Sequence, residues 1–470
     1  MDSLLHIIVA VSDWIWGLPM IILLLFSGIF LTIRLGFFHF RYAPYIIKQT
    51  IGSIFKKSNA KGKGTVSPYQ SLTSALACTI GAGNITGVPV AIMFGGPGAI
   101  FWMWMISIIA GAIKFSEVTL AVNYREKNTK GEYVGGPMYY MTKGLNMKWL
   151  GVWFAAAMMF EVLASIMVQG NSLALTVEET FNISPVITGI ITMIIVGIVI
   201  IGGIKRIVSF TEKFVPLMIF LYLAAAFAVV IINADMIGEV LGLIFSYAFQ
   251  PMAAAGGFGG AAIAQTVRWG FARGVYSNEA GVGTAPIVHA AAETDHPVRQ
   301  GLWAITEVVI DTLIVCSATA FVILSTGVWT NEGFTEDPSG LTSVAFAEGL
   351  GSIGSYIVSI ALLFFVVSTV IVLSYYGEKQ AEFLFGAKAV WVVKVIYVVS
   401  LFIGAVGGAK AIWSLLDISL AAMAVPNIIA LLLLSREVKQ LKDDYFNSFD
   451  FYLKDIGKHP QPNEKDAGGN

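Results

Sequence analysis

Thr79-Ile80-Gly81-Ala82-Gly83-Asn84-Ile85-Thr86-Gly87 interrupts a mostly apolar run over residues 68–93, placing small and polar residues where a membrane helix would be at mid-depth. In hydrocarbon every backbone N–H and C=O must find a partner, so irregular backbone persists only where protein buries it or where it lines a cavity. Gly81 and Gly83 make unwinding inexpensive, and Asn84 offers both a donor and an acceptor. A helix broken in this way is a candidate ion and substrate site.

Composition supports the membrane setting. Of 470 residues, 56% are hydrophobic and 13% charged, with mean hydropathy +0.76. A water-soluble domain of this length could not hide so much apolar surface, so the chain is read as an all-α, polytopic membrane protein. The net charge of −1 gives no nucleic-acid signal. Cys78 and Cys316 both fall in predicted spans, which argues against a disulfide framework, and the five histidines lack metal-ligand spacing. The first apolar stretch has no basic region before it and no small-residue cleavage site after it, so it is read as a retained span.

About eleven spans are expected, at residues 14–33, 68–93, 97–122, 149–169, 185–203, 214–232, 237–270, 302–326, 355–376, 390–406 and 412–434. Of the 29 Lys and Arg residues, 26 fall in loops or tails on one side of this arrangement. That side is cytoplasmic by the retention of positive charge, which puts the N-terminus outside and the C-terminus inside. A second glycine-rich interruption, Pro251-Met252-Ala253-Ala254-Ala255-Gly256-Gly257-Phe258-Gly259-Gly260, follows five spans after the first. Breaks in the first helix of two successive five-helix groups point to an inverted repeat, because an odd number of helices turns the second copy over. Glycines that serve only helix packing are the alternative. The expected organisation is an extra helix with its basic loop (1–67), two five-helix repeats (68–233 and 234–435) and a tail (436–470) read as disordered beyond Phe446.

Intramembrane acids are costly and by default functional. Glu161, Glu307, Asp311 and Asp417 qualify. Lys114 and Glu117 are expected to form a structural pair. Glu307 and Asp311, one turn apart, are expected to line an inner vestibule or to hold a gate with Arg268 or Arg273. Asn278 and Glu279 are placed in a cytoplasmic loop, as an inner gate or re-entrant turn. Gly81-x-Gly83 lacks the third glycine and the strand of a dinucleotide site, and no nucleophile–base signature appears, so no enzymatic activity is expected.

Gly81-Ala82-Gly83-Asn84-Ile85-Thr86-Gly87-Val88, the segment from Tyr276-Ser277-Asn278-Glu279-Ala280-Gly281 to Ala290-Ala291-Ala292, and Ser374-Tyr375-Tyr376-Gly377-Glu378 resemble signatures of the alanine or glycine:cation symporters. The resemblance covers nearly the whole chain. It implies a LeuT-type fold, sodium coupling and a small neutral amino acid as substrate in a prokaryotic plasma membrane. It further implies a sodium shell of the Ala77, Ile80 and Phe365 carbonyls with the Ser368 and Thr369 hydroxyls. Hydroxyls bonded to their own helix are the alternative. The substrate carboxylate is expected at the N–H groups of Gly81, Ala82 and Gly83, with Asn84 adding a contact. Carbonyls of the second break, including Gly256 and Gly257, are expected to receive the ammonium, with Phe258 closing the pocket. Gln169 and Asn171 are further polar candidates by resemblance. Where relatives often carry Trp, this chain has Leu373, which implies a roomier pocket in which glutamine becomes possible beside alanine and glycine. No cofactor is expected beyond the coupling ion; the lipid bilayer is the only other partner, and the chain is expected to act as a monomer.

Overall fold

The structure is a computed structural model that describes residues 11, 14–54, 62–81, 83–250, 259–330, 338–407 and 410–457. The principal helices are α1 (Leu18–Arg34), α2 (Pro68–Thr79), α3 (Val88–Gly95), α4 (Ala99–Asn123), α5 (Lys148–Phe181), α6 (Pro185–Ile201), α7 (Gly203–Ile232), α8 (Ile237–Phe249), α9 (Gly259–Asn278), α10 (Pro297–Thr326), α11 (Ser352–Phe385), α12 (Ala389–Val406), α13 (Lys410–Leu433) and α14 (Ser435–Asn447). Among the described residues seven continuous helices are long and apolar enough to cross a membrane, or eight if the bent pair Pro68–Thr79 and Gly83–Gly95 is one span. Against the eleven spans expected, α1 and α6 lie where predicted but have 17 residues each. Helices α8 and α9 flank residues 251–258, so the second break, with Gly256, Gly257 and Phe258, lies outside the described residues.

Solvent preference is written on α6. Its outward row is Ile187, Ile191, Ile194 and Ile198, each about half exposed, while Thr188 and Thr192 are buried against protein. Isoleucine outside and threonine inside inverts the order of a protein folded in water, and it fits a helix whose solvent is hydrocarbon. Helix contacts follow from small residues. A Cβ on Gly404 of α12 would lie 2.2 Å from the Met167 carbonyl oxygen of α5, and one on Gly170 would lie 2.6 Å from the Leu401 carbonyl oxygen. Backbones meet directly at this crossing. Gly404→Val is therefore expected to lower stability by roughly 1–3 kcal/mol, by forcing the helices apart; an unchanged midpoint of thermal unfolding in detergent would refute it.

The first break has a clear local cause. Helix α2 starts at a capping box: the Ser67 hydroxyl accepts from Gln70 N–H (3.1 Å) and Gln70 Oε1 accepts from Ser67 N–H (3.0 Å), with Pro68 at the first helical position. It ends at Ile80, whose backbone is extended, and the chain resumes as a π-helical turn over Gly83–Gly87 before α3. The two pieces differ in direction by 47°. Helix α2 packs on α7 and α11, whereas α3 packs on α9. The break therefore sits where these groups meet.

Two expectations about the parts read as cytoplasmic change. Asn278 and Glu279 are not in an exposed loop: Asn278 ends α9 and is 1% exposed, and Glu279 turns left-handed (φ 54°), followed by Gly281 (φ 89°) and Gly283 (φ 90°). These left-handed positions fold the chain back sharply, and Asn278 Oδ1 accepts from Ala280 N–H (3.0 Å), so the turn can be buried with its polar groups satisfied. The tail is also ordered beyond Phe446, over the described residues to 457. Phe451 stacks on Tyr445, and Asp455 accepts from Tyr45 (2.7 Å) and Arg299 (3.0 Å).

Candidate functional site

A small cavity, part of it open to solvent, lies at the first break. Gly81, Gly83, Cys78 and Thr79 form one wall; Glu161, Ser165 and Gln169 of α5 form another; Thr369 and Leu373 of α11, Val275 and Tyr276 of α9, Glu279, Val282, Trp16 and two leucines of α13 complete it. Glu161, Ser165 and Gln169 recur every four residues, so they line one face of an otherwise apolar helix. That spacing was the signal by which the sequence could have placed Glu161 in the site.

Among the expected substrate residues, Gly81, Gly83, Gln169 and Leu373 meet at this cavity. Their closeness is tight: a Cβ on Gly81 would stand 3.0 Å from Thr369 Oγ1 and 3.6 Å from Gln169 Nε2. A Cβ on Gly83 would touch the Tyr276 ring at 3.3 Å. Ala82 lies outside the described residues.

Two expected residues lie elsewhere. Asn84 is wholly buried, and its Oδ1 accepts from the Gly81 N–H (3.0 Å), so the group expected to receive a substrate carboxylate is already capped. Its Nδ2 donates to Asp311 (2.7 Å) and Ser277 (3.1 Å). A side-chain amide beside a broken helix end satisfies the nearest orphan backbone group, which here is the Gly81 N–H. Asn171 donates to the Gly407 carbonyl (2.8 Å) and does not line the cavity.

The expected sodium ligands form two pairs. The Thr369 hydroxyl donates to the Ala77 carbonyl across the helix interface (2.8 Å). The Ser368 hydroxyl donates within α11, to Phe365 C=O (2.9 Å), the local bond that serine in a span commonly makes. Ile80 is buried beside the break. Thr369 is thus the residue that joins α11 to the break. Uncharged hydroxyl and carbonyl oxygens suit a monovalent cation that must also leave. Among the described residues no group of three or more His, Cys, Asp or Glu could hold a metal ion.

The acids expected to form a gate have other partners. Glu307 Oε1 lies 3.1 Å from Lys114 Nζ, and both side chains are buried. His289 Nδ1 accepts from Gln300 (2.7 Å), which leaves Nε2 to donate to Glu307 (3.3 Å). Lys114 also donates to the Asn278 carbonyl, so it holds α4, α10 and the end of α9 together. The ion pair of Lys114 is with Glu307, not with Glu117, which accepts from Asn427 (2.6 Å). One turn along α10 the backbone becomes π-helical over Val309–Cys316, and Asp311 turns to Asn84, Ser277 (2.6 Å) and Thr312 (2.8 Å). Glu279, expected far from the site, lines the cavity because the left-handed turn after α9 carries it inward.

The first helix is more than an addition. Trp16, just before α1, lines the cavity, and its indole N–H donates to the Asp417 carbonyl (2.8 Å). Trp16 and Tyr276 also border an adjoining cavity with Arg268, Arg273 and Asp417.

Comparison with known proteins agrees with this architecture. Residues 1–455 match the sodium:alanine symporter family. An uncharacterized transporter of Bacillus subtilis, YflA, is 58% identical over 98% of each chain. The sodium/alanine symporter AgcS of Methanococcus maripaludis is 43% identical over 90% of this chain and 93% of its own. The probable sodium/glutamine symporter GlnT of Bacillus subtilis is 38% identical over 97% of this chain and 92% of its own. Among solved structures, MhsT in complex with L-phenylalanine superposes with TM-score 0.53 at 14% identity, covering 81% of this chain and 99% of MhsT. That likeness shows a LeuT-type fold. The chain is a polytopic transporter rather than an enzyme, and it belongs to the sodium:alanine symporter family, whose activity is amino-acid:cation symport.

Proposed function

We propose that this chain imports a small neutral amino acid, alanine or glycine with glutamine as the upper limit of size, by alternating access coupled to sodium. The carrying observation is the meeting of Gly81, Gly83, Thr369, Gln169 and Leu373 around one cavity at a broken helix. The relatives named for sodium/alanine and sodium/glutamine symport support both the ion and the substrate range. Thr369 and Ala77 are assigned to the ion, with Ile80, Phe365 and Ser368 closing the shell once their local bonds open. The organisation that goes with this reading is eleven spans as an extra helix and a 5+5 inverted repeat. The chain acts as a monomer in the plasma membrane, with the N-terminus outside and the C-terminus cytoplasmic.

The energetics suffice. One sodium entering down a tenfold gradient releases about 1.4 kcal/mol, and a potential of about −120 mV adds roughly 2.8 kcal/mol. Together these sustain roughly thousandfold accumulation of a neutral solute. Purified protein in liposomes, assayed for radiolabelled amino-acid uptake with and without an imposed sodium gradient, tests the reading. Uptake driven by a pH gradient without sodium would replace sodium by a proton.

Leu373 sets the room available on the α11 wall. Leu373→Trp is expected to reduce glutamine competition against alanine uptake by about tenfold or more while sparing glycine, since a larger ring fills a pocket that a larger substrate needs. Equal effects on glycine and glutamine would refute a size filter at this position.

A further inference from the structure

Glu161 is an acid at membrane depth, 3% exposed, and its Oε2 has no hydrogen-bond partner. Eight residues along the same face, Gln169 is 7% exposed, and its Oε1 is also unpartnered. Both side chains line the central cavity. Two orphan acceptors on one wall are two missing donors, because a buried acceptor left unsatisfied costs free energy and a buried carboxylate left unpaired costs more. Among the described residues lining this cavity there is no Lys, Arg or His, and Arg268 and Arg273 border the adjoining one. The other acid of the cavity, Glu279, is already served, by the Cys78 thiol (3.6 Å) and the Thr284 hydroxyl.

We infer that Glu161 receives the ammonium group of the transported amino acid and makes the cavity selective for substrates bearing one. The inference rests on the proposed function and adds the chemistry of one substrate group to it. Charge balance argues the same way. A zwitterion and one monovalent cation bring a net charge of +1 into a low-dielectric site, and a carboxylate on its wall lowers the cost of loading them. The arrangement then consists of two charge pairs, substrate carboxylate with sodium near Thr369 and ammonium with Glu161, rather than one pair and an isolated charge.

The test uses the full chain in proteoliposomes, with radiolabelled alanine as probe and its des-amino analogue, propanoate, as competitor. Glu161→Gln is nearly isosteric. It is expected to raise the half-saturating alanine concentration by about tenfold or more, from loss of a charge-assisted hydrogen bond, and to shrink the advantage of alanine over propanoate by a similar factor. Half-saturation by sodium should stay within about twofold. Glu161→Asp, which keeps the charge, should recover part of the loss; it also serves as the working variant if thermal unfolding in detergent shows the Gln variant to be misfolded. Unchanged alanine affinity and discrimination overturn the inference, and so does a shift confined to sodium half-saturation, which would make Glu161 an ion ligand. If the unmodified chain takes up no amino acid under a sodium gradient, the proposed function fails and this inference with it. Uptake by the unmodified chain with indifferent variants removes this inference alone.

Discussion

Replacing Thr369 by alanine is expected to raise the sodium concentration for half-maximal uptake by about tenfold to hundredfold, the range for losing one oxygen that bonds a charged species. Thr369 is the residue of α11 that reaches the break: its hydroxyl bonds the Ala77 carbonyl, and it stands against Gly81. Its neighbour Ser368 bonds within its own helix and touches the Met218 sulfur at 3.8 Å. Ser368→Ala should therefore shift sodium half-saturation less than Thr369→Ala. Thr369→Ser, which keeps the oxygen, should retain most of the affinity. A sodium titration of uptake in liposomes checks all three, and equal loss in the serine and alanine variants would show that the methyl group matters rather than the oxygen.

Lys114→Met should destabilise the protein by roughly 3–5 kcal/mol, the cost of leaving a buried charge without its partner. Glu307 would lose the ammonium 3.1 Å away, and the Asn278 carbonyl would lose its donor. The effect should appear as a large fall in the midpoint of thermal unfolding in detergent. Replacing both partners, Lys114→Met with Glu307→Gln, should restore much of it, because the buried charge is removed together with its counter-ion. A double variant as unstable as the single one would mean that Lys114 acts through the Asn278 carbonyl rather than through Glu307.

The break itself was legible because two glycines and an asparagine at membrane depth are poor material for a continuous helix, and the cavity does lie there with Gly81, Gly83, Gln169, Thr369 and Leu373 on its walls. What the sequence could not show was direction. Asn84 has a donor and an acceptor wherever it points, and only the fold reveals that its acceptor is spent on Gly81 N–H. Glu307 and Asp311 read as one face of a regular helix, but the π-helical stretch that follows changes the angle between them. Asn278 and Glu279 read as loop residues because nothing local announces that Glu279 adopts a left-handed backbone and turns into the core. Trp16 was hidden for a different reason: its role depends on the Asp417 carbonyl, 401 residues away.

The crossing of α5 and α12, where Gly404 lets one backbone lie against Met167, leaves no gap for sliding. In the proposed alternating-access cycle those two helices move as a single lever, and the bending falls to the break that follows Ile80. A covalent clamp between α5 and α12 should thus leave turnover intact, whereas a clamp from α2 to α3 should arrest it.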